Sequence, residues 1–284
     1  MRILLTGREG QVGSALVPAL AQLGGLTACG REELDLLNVP AIGKTVAALK
    51  PEVIVNAAAY TAVDRAEREP QAAFAVNARA VEELARAAKS SDALLVHFST
   101  DYVFDGEKAG AYLETDATNP ASVYGQSKLA GERAIGASGC RHFIFRTCWV
   151  YAPAGRNFMN AILAAARART ELRVVNDQRG APTSSAAIAA GVAQVLSRPD
   201  LAGKPGGIYH LSAAGETTWH GFAQAILAGE GLAAPVAAIR SDEHPTAARR
   251  PKNSLLDNAK VRAAFGVSLL DWRQGLAAVL RSIH

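Results

Sequence analysis

Short apolar runs alternate with longer segments of helical periodicity along the first half of the chain. The runs Arg2 to Thr6, Leu26 to Cys29, Val53 to Asn56 and Leu94 to Phe98 are mostly apolar, as in strands that are buried on both faces of a parallel sheet. Helical spacing fills the segments between them, for example Pro70 to Lys89. The alternation predicts an α/β fold built on a doubly wound parallel sheet of the Rossmann type.

The alternation becomes less regular after Tyr151. We expect a strand from Leu172 to Asn176 and a helix from Ser184 to Leu196 to return to the main sheet. A strand near Ile208 to Leu211 and a helix near His220 to Gly229 are expected to belong to a smaller lobe. The sequence thus predicts a main domain, made of residues 1–148 with about 171–200, and a smaller C-terminal lobe, made of residues 149–170 with 201–284.

The composition is that of a soluble globular protein, with 49% hydrophobic and 20% charged residues among 284. A net charge of +4 could indicate a nucleic-acid partner, but the basic residues are scattered, which favours an anionic small molecule. Three cysteines without metal-ligand spacing indicate a reducing compartment. The N-terminal segment resembles a buried strand rather than a signal peptide. We therefore expect a cytoplasmic protein with no nucleic-acid and no membrane partner.

A glycine-rich turn joins the first predicted strand to the first predicted helix. Glycines at positions 7, 10 and 13 allow a tight turn, close approach of the backbone to a pyrophosphate, and close packing of the helix on the strand. The phosphate would then lie at the positive end of the helix. The spacing predicts a dinucleotide site, with a plain strand-to-helix turn as the alternative for this motif alone. The predicted site residues are Gly7, Glu9, Gly10, Gln11, Val12 and Gly13.

The second predicted strand ends at Gly30 and Arg31, where NAD-dependent enzymes commonly carry an acidic residue for the ribose 2′-hydroxyl. The guanidinium of Arg31, joined by that of Arg8, could pair instead with the 2′-phosphate of NADPH. Two solvated arginines are the alternative, and NADH stays open as the cofactor. Asp35 could cap a turn or bind near the adenine, against which Leu36 could pack.

Small side chains follow the third predicted strand, after Asn56. Alanines at this place leave room for a cofactor to approach the backbone, although they could equally serve packing alone. We predict that Ala58, Ala59, Tyr60 and Thr61 line the cofactor site.

Tyr124 and Lys128 form the pair on which the predicted chemistry depends. Four residues apart on a helix, they project from one face, so the ammonium can lower the pKa of the phenol. Thr100 comes just after the strand Leu94 to Phe98, at the edge of the sheet where ligands bind, and its hydroxyl could bind a substrate oxygen together with Tyr124. A turn cap is the alternative for this hydroxyl. With a dinucleotide, the three side chains predict hydride transfer coupled to proton donation.

Motifs that follow one another along nearly the whole chain resemble the extended short-chain dehydrogenase/reductase family. They are Gly7 to Gly13, Val55 to Asp64, Ser99 to Phe104, Tyr124 to Lys128, Phe145 to Tyr151, Asn176 to Thr183, Thr217 to His220 and Arg250 to Ser254. The resemblance implies that NADPH or NADH reduces the C4 ketone of dTDP-4-dehydro-L-rhamnose to dTDP-L-rhamnose, for cell-surface polysaccharide. It also implies that the main domain binds the dinucleotide and that the smaller lobe binds the dTDP-sugar.

The resemblance further implies roles for individual residues. Tyr124 would donate the proton, while Lys128 would lower the pKa of Tyr124 and hold the nicotinamide ribose. Thr100 and Asp101 would contact the sugar, and Trp149 would lie beside the deoxyhexose.

Two arginines near the C-terminus, Arg249 and Arg250, are candidates for binding the diphosphate of the sugar nucleotide, because a guanidinium fork matches phosphate oxygens. Arginines beside Pro251 could otherwise be loop surface.

The sequence departs from the resemblance in its metal ligands. Members of the family can hold magnesium with glutamates at a dimer interface, and one of these glutamates corresponds to Ala15 here. We therefore predict no required metal and leave a homodimer open. His97, His210 and His220 lack metal-ligand spacing and are interpreted as structural or surface histidines, so no zinc site is predicted.

Three other functions are weighed against this reductase hypothesis. A sugar-nucleotide 4,6-dehydratase would resemble a family with a second acidic residue after Asp101, where this chain has Tyr102. A reductase or epimerase of another nucleotide sugar is not excluded by sequence. A non-catalytic NADP-binding regulatory subunit is also related to this family, but the intact Thr100, Tyr124 and Lys128 favour an enzyme.

Overall fold

The computed structural model describes residues 1–168 and 171–284. Its strands are β1 (Arg2–Thr6), β2 (Gly25–Cys29), β3 (Val53–Asn56), β4 (Leu94–Thr100), β5 (His142–Thr147), β6 (Val150–Tyr151), β7 (Leu172–Val175), β8 (Arg179–Gly180), β9 (Thr183–Ser184), β10 (Gly207–His210), β11 (Thr217–Thr218) and β12 (Val236–Ile239). Its α-helices are α1 (Gln11–Ala21), α2 (Val39–Leu49), α3 (Val63–Ala66), α4 (Pro70–Phe74), α5 (Ala80–Ser90), α6 (Val123–Ser138), α7 (Phe158–Arg167), α8 (Ser185–Leu196), α9 (Trp219–Gly229), α10 (Ala259–Phe265) and α11 (Trp272–Ser282). The last two residues of the predicted segment 149–170 lie outside the described residues.

Six parallel strands form the central sheet, in the order β10-β5-β4-β3-β1-β2. The order reverses between β1 and β3, and in such sheets a crevice for ligands opens at the carboxyl ends of the strands beside this point. The predicted α/β fold with a doubly wound parallel sheet of the Rossmann type is confirmed.

Alternate residues of the strands enter two separate cores. Ile3 and Leu5 of β1 pack with α1 and α8, whereas Leu4 faces the opposite core, which α2 and α5 cover. This division follows from the two-residue period of a strand. Both faces of the sheet are therefore buried, as the apolar runs predicted.

A third core lies beneath the helices of the second half. Tyr151, Met159, Phe222 and Trp272 are among its buried members, and it brings together α7, α9 and α11. A segment with a core of its own agrees with a smaller lobe, whose exact boundaries stay a prediction.

Two strands of the second half differ from the prediction. The strand Leu172–Val175 pairs with β12 and not with the main sheet, so its predicted return to that sheet is wrong. Conversely, β10 joins β5 as the sixth strand of the main sheet, although the sequence reading gave it to the smaller lobe. The helix α8, which lies between these two strands in the chain, does return to the main sheet as predicted, and it packs there against α1. The exposed Arg173 between two buried neighbours marks a half-exposed strand, which a doubly covered sheet does not favour.

Within the described residues, no helix is both long enough and apolar enough to cross a membrane.

Candidate active site

The glycine turn forms an open cradle at the start of α1. Gly7 has a φ of +76°, and a Cβ atom there would lie 2.7 Å from the Cα of Ala58. A Cβ on Gly13 would collide with the carbonyl of Gly7, whereas a Cβ on Gly10 would meet only that carbonyl, at 3.4 Å. Only the outer side of the turn is therefore free, as the approach of a pyrophosphate requires.

The first turn of α1 is suited to an anion. Gly10 is the N-cap, no side chain caps the helix, and no acidic residue lies in the first turn. The free N–H groups and the positive end of the helix therefore face the cradle. Gln11 has a buried Oε1 atom without a protein partner at this place, while Val12 packs against the first core. These features fit the diphosphate of a dinucleotide.

An acidic residue that the sequence reading did not select lies at the end of β2. Glu33 accepts a hydrogen bond from the Gly30 N–H at 2.8 Å, and its other oxygen lies 2.6 Å from a guanidinium nitrogen of Arg8. Arg8 is therefore paired with Glu33 in this structure, and its role beside Arg31 at a 2′-phosphate stays a prediction. The chain turns after Gly30, which brings Glu33 back to the strand end; spacing from the strand alone does not reveal this. The side chain of Glu9 lies beside Gly30.

The three remaining residues predicted near the adenosine have different environments. Arg31 has a side chain that is 74% exposed, 3.6 Å from Asp35, and is thus accessible to a 2′-phosphate. Asp35 accepts the Leu37 N–H at 3.0 Å, so it caps a turn, one of the two predicted alternatives. Leu36 is buried in the second core.

The loop from Ala58 to Thr61 is held by two buried asparagines. Asn56 accepts the Ala58 N–H through Oδ1 at 3.2 Å. Asn77 accepts the Tyr60 N–H at 2.9 Å and donates to the Tyr60 carbonyl at 3.0 Å. Asn77 lies in a single π-helical turn, Ala75–Arg79, between α4 and α5, and such turns are frequent at functional sites. The loop passes against the glycine cradle, because Gly7 contacts the backbone of Ala58.

Tyr124 lies beside Thr100 at the carboxyl end of β4. Ser122 caps α6 by accepting the Gly125 N–H at 3.2 Å, which places Tyr124 in the first helical turn. Burial raises the pKa of Tyr124 above its usual value, while the Thr100 hydroxyl lowers this pKa. Thr100 also accepts the Tyr102 N–H at 3.2 Å, so the alternative role as a turn cap is fulfilled at the same time. The ring of Tyr102 meets that of Tyr124 edge-on, with centroids 5.5 Å apart.

Lys128 is buried one turn further along α6. Contrary to expectation, its amino group does not contact the Tyr124 phenol. Its Nζ donates to the Phe98 carbonyl at 2.7 Å and lies 3.2 Å from Nε2 of His97. Burial lowers the pKa of Lys128 to about 8, and Glu132 opposes this shift. The hydrogen bonds of Lys128 are thus made to His97 and Phe98, and the lowering of the phenol pKa by Lys128 stays a prediction.

Asp101 is a buried carboxyl next to these groups. Burial raises its pKa to about 7, and the hydroxyls of Ser254 and Thr100 lower it. Its Oδ1 atom accepts from the Thr100 hydroxyl at 3.1 Å. Near neutral pH this carboxyl is therefore partly protonated and able to donate a hydrogen bond as well as accept one.

Trp149 is held in an uncommon backbone conformation. Its φ is +47°, a value that is an outlier for a bulky residue. Backbone outliers of this kind cluster at ligand sites. Its ring stacks on Trp219 with centroids 3.6 Å apart, and a Cβ on Gly180 would collide with the indole. Trp219 donates to Gln178 at 3.2 Å. The sequence reading gave no role to Trp219, because only the folded chain brings it to Trp149.

Arg250 points toward the catalytic candidates, whereas Arg249 does not. Arg250 contacts Asp64 at 2.6 Å and donates to the Tyr102 hydroxyl at 3.2 Å. Arg249 is 67% exposed and pairs with Glu107 at 2.7 Å. Of the two, Arg250 is therefore the one that lies near Tyr124, through its contact with Tyr102.

The described ranges, 1–168 and 171–284, contain no group of three or more His, Cys, Asp and Glu side chains that could hold a metal. His97 and His210 are fully buried, and His220 donates a hydrogen bond from Nε2 to the Val236 carbonyl, 3.1 Å away. Ala15 is half-buried against the first core.

Comparison with known proteins gives matches along the whole chain. The family model described as RmlD substrate binding domain matches residues 1–284. The dTDP-4-dehydrorhamnose reductases of Burkholderia thailandensis and Escherichia coli are 45% and 44% identical to this chain, and the alignments cover all of it and 99% and 98% of the relatives. A crystal structure of dTDP-4-dehydrorhamnose reductase from Bacillus anthracis in complex with NADP superimposes with a TM-score of 0.94 at 32% identity, covering 99% of each chain. The chain therefore belongs to the RmlD substrate binding domain family.

Proposed function

We propose that this protein is a reductase that uses NADPH, or NADH, to reduce the C4 ketone of dTDP-4-dehydro-L-rhamnose to dTDP-L-rhamnose. The observation that carries the proposal is the position of Thr100, Tyr124 and Lys128 at the carboxyl end of the sheet, on the same edge as the glycine cradle. Full-length relatives at 44–45% identity that bear the name of this reductase support it over a regulatory subunit or an epimerase.

Each group of the site has a step in this reaction. The hydride for the C4 carbon would come from NADPH held in the glycine cradle. The Tyr124 hydroxyl donates the proton to the ketone oxygen, and the Thr100 hydroxyl binds that oxygen, because the developing negative charge needs donors placed in advance. Once the cofactor is bound, Lys128, as an ammonium turned toward the nicotinamide ribose, would lower the pKa of Tyr124.

The cofactor contacts follow the cradle and the strand ends. Gly7, Gly10 and Gly13 with Glu9, Gln11 and Val12 would bind the diphosphate, and Ala58 to Thr61 would lie along the nicotinamide half. Arg31 would bind the 2′-phosphate of NADPH, while Asp35 and Leu36 would lie near the adenosine. Glu33 can accept from the 2′-hydroxyl of NADH, so both cofactors are expected to serve.

The sugar nucleotide would bind between two parts of the molecule, the side of the main domain that carries the glycine cradle and the segments of the second half of the chain. Asp101 would contact the sugar, the Trp149 and Trp219 stack would lie beside the deoxyhexose, and Arg250 would leave Asp64 to bind the diphosphate. We also propose that the protein works in the cytoplasm, and that a homodimer, where formed, requires no metal.

The deciding experiment is the substrate-dependent oxidation of NADPH, followed by its absorbance, with NADH in parallel. The substrate dTDP-4-dehydro-L-rhamnose is made by the preceding enzymes. Oxidation that requires the keto sugar, with dTDP-L-rhamnose as product, is expected. Tight NADPH binding without any oxidation would favour the regulatory function instead.

A further inference from the structure

A line of buried polar groups runs through the sheet from β1 to α6. Thr6, Asn56, His97 and Lys128 follow one another, each within hydrogen-bond distance of the next, at 2.7, 3.0 and 3.2 Å. All four are at most 2% exposed. Because water does not reach them, each donor in this line must face an acceptor of the protein.

The amide of Asn56 has one orientation that satisfies its neighbours. The Ala58 N–H is a backbone donor with no acceptor capacity, and it lies 3.2 Å from Oδ1 of Asn56. The Thr6 hydroxyl donates to the same oxygen at 2.7 Å. The NH2 group of Asn56 therefore faces Nδ1 of His97, which must present a lone pair.

This orientation fixes the tautomer of His97. Burial keeps the ring uncharged, because it lowers the pKa of His97 well below its usual value, and the charge on Lys128 lowers it further. A neutral imidazole has one N–H. With Nδ1 as the acceptor, the proton is on Nε2, the atom that faces Nζ of Lys128 at 3.2 Å.

An ammonium group cannot accept that hydrogen bond, because it has three donors and no lone pair. An uncharged amine can: it accepts from Nε2–H of His97 and donates to the Phe98 carbonyl, 2.7 Å away. We propose that His97 is a positioning residue that holds Lys128 as an uncharged amine until the dinucleotide binds, when Lys128 takes up a proton from solvent and turns toward the ribose. This inference rests on the proposed function for its ligand, NADPH.

The charges around Lys128 are few. Glu132, on the next turn of α6, is paired with Arg146 of β5 in a buried bidentate ion pair, at 2.9 and 2.6 Å. His97 of β4 is the titratable group in contact, and Tyr124 lies one turn before on α6. The charge on Asp101 raises the pKa of Tyr124. The negative charge of Glu132 is therefore balanced by Arg146. The His97 N–H then determines which protonation state of Lys128 has partners for its hydrogen bonds.

Calorimetry of NADPH binding to the intact protein tests the proton uptake. Titrations are run at alkaline pH, where the 2′-phosphate and Asp101 are already ionised, in two buffers of different ionisation enthalpy. We expect the two apparent enthalpies to differ by the uptake of close to one proton per NADPH, and to agree in Lys128→Met. Equal enthalpies in the wild-type protein would overturn the inference, whereas no binding at all would overturn the proposed function.

Two substitutions of similar size separate the tautomer from simple packing. In Asn56→Asp a carboxylate oxygen faces Nδ1, so the His97 proton moves there, Nε2 accepts from an ammonium, and the proton uptake disappears. Thr6→Val removes a donor from the same line without changing which atom faces His97, so the uptake persists. Uptake that survives Asn56→Asp would overturn the inference.

The tautomer is also visible directly in the wild-type protein. Nitrogen-15 spectra of histidine-labelled protein distinguish a protonated Nε2 from a protonated Nδ1. We expect the protonated Nε2 for His97 in the cofactor-free protein at alkaline pH. A protonated Nδ1 would overturn the inference even where the variants do not fold.

Discussion

The hydroxyl of Tyr124 is the proton donor of the proposed reaction, and its removal is the sharpest test at the scale of one residue. Tyr124→Phe should lower kcat by about 10²–10⁴-fold, the usual contribution of a positioned general acid, while NADPH affinity stays close to that of the wild type. Steady-state kinetics and a binding titration measure the two effects. Tyr102→Phe, which keeps the neighbouring ring, is the control. Near-normal turnover of Tyr124→Phe would refute the assignment.

The carboxylate of Glu33 should decide how well the protein distinguishes its two cofactors. It holds Arg8 at 2.6 Å, so Glu33→Gln both removes a negative charge and frees a guanidinium for the 2′-phosphate. We expect the preference for NADPH over NADH, as a ratio of kcat/KM, to rise about tenfold, equivalent to about 1.4 kcal/mol. Glu32→Gln removes the same charge one residue away and should leave the ratio unchanged. An unchanged ratio in Glu33→Gln would place the 2′-phosphate elsewhere.

Asp101 should make stability depend on pH in the direction opposite to an ordinary carboxylate. Its pKa is raised from 3.8 to about 7 by burial, so its contribution is present below pH 3.8 and is lost as pH rises through 7. The stability of the wild type relative to Asp101→Asn should fall over this range by a few kcal/mol, about 1.4 kcal/mol per pH unit. Denaturant unfolding at several pH values measures the difference.

Asp105 provides the contrast for this pH dependence. Backbone hydrogen bonding from Glu107 lowers its pKa below 3.8, so its contribution is present above the unfolded pKa and is lost as pH falls. The stability of the wild type relative to Asp105→Asn should rise with pH. Parallel trends in the two variants would mean that Asp101 is ionised in the folded protein.

The residues that sequence alone identified are those whose position follows from a local element. Gly7 and Tyr124 could be predicted because a glycine turn and a four-residue helical spacing fix their surroundings. His97 and Glu33 could not, because their partners, Lys128 and Arg8, are brought to them by tertiary structure. The spacing of His97 in the sequence indicates a structural or surface residue. Its contact with Lys128 depends on how α6 packs against β4.

At the scale of elements, the π-helical turn is the structure that joins the loop from Ala58 to Thr61 to α6. Asn77 bonds both backbone groups of Tyr60 and also donates to the Ser127 hydroxyl at 3.0 Å. Asn77→Ala leaves the Tyr60 groups unpaired, so we expect a loss of about 1–3 kcal/mol in the free energy of unfolding and weaker NADPH binding. Thermal unfolding and a binding titration measure these effects.

Ser127→Ala is the control for this turn. It removes one partner of Asn77 on the α6 side but leaves both Tyr60 bonds, so NADPH binding should change less than in Asn77→Ala. Equal losses of NADPH affinity in the two variants would mean that the turn acts on the packing of α6 and not on the loop from Ala58 to Thr61.

The pattern of apolar runs predicted elements better than it predicted their partners. The strands of the first half lie where they were expected, since continuous apolar runs fit a doubly covered sheet. Leu172–Val175 joins β12, and β10 completes the main sheet, because a short run fits any parallel neighbour and its periodicity does not identify one. The one exposed position in Leu172–Val175, Arg173, was the available signal.

At the scale of the whole molecule, contacts around Arg250 connect the C-terminal segment to the first half. Asp64 binds both the Arg250 guanidinium and, at 3.1 Å, the Ala248 N–H. The guanidinium is thus held near Tyr102 before substrate arrives. A site assembled from segments so far apart in the chain could be placed from sequence only through the resemblance of its motifs.

Assembly and metal dependence are properties of the whole molecule. One residue of α1, Ala15, leads to a prediction about both. Ala15 stands where the resemblance of the sequence implies a glutamate; it is half-buried against the core and supplies none of the carboxylate oxygens with which proteins commonly hold magnesium. We therefore expect a chelator of divalent ions to change neither the rate of NADPH oxidation nor the mass in solution. Sedimentation velocity and steady-state kinetics, each with and without chelator, measure this. A rate or a mass that falls with chelator and returns on adding magnesium would show that other carboxylates replace the missing one.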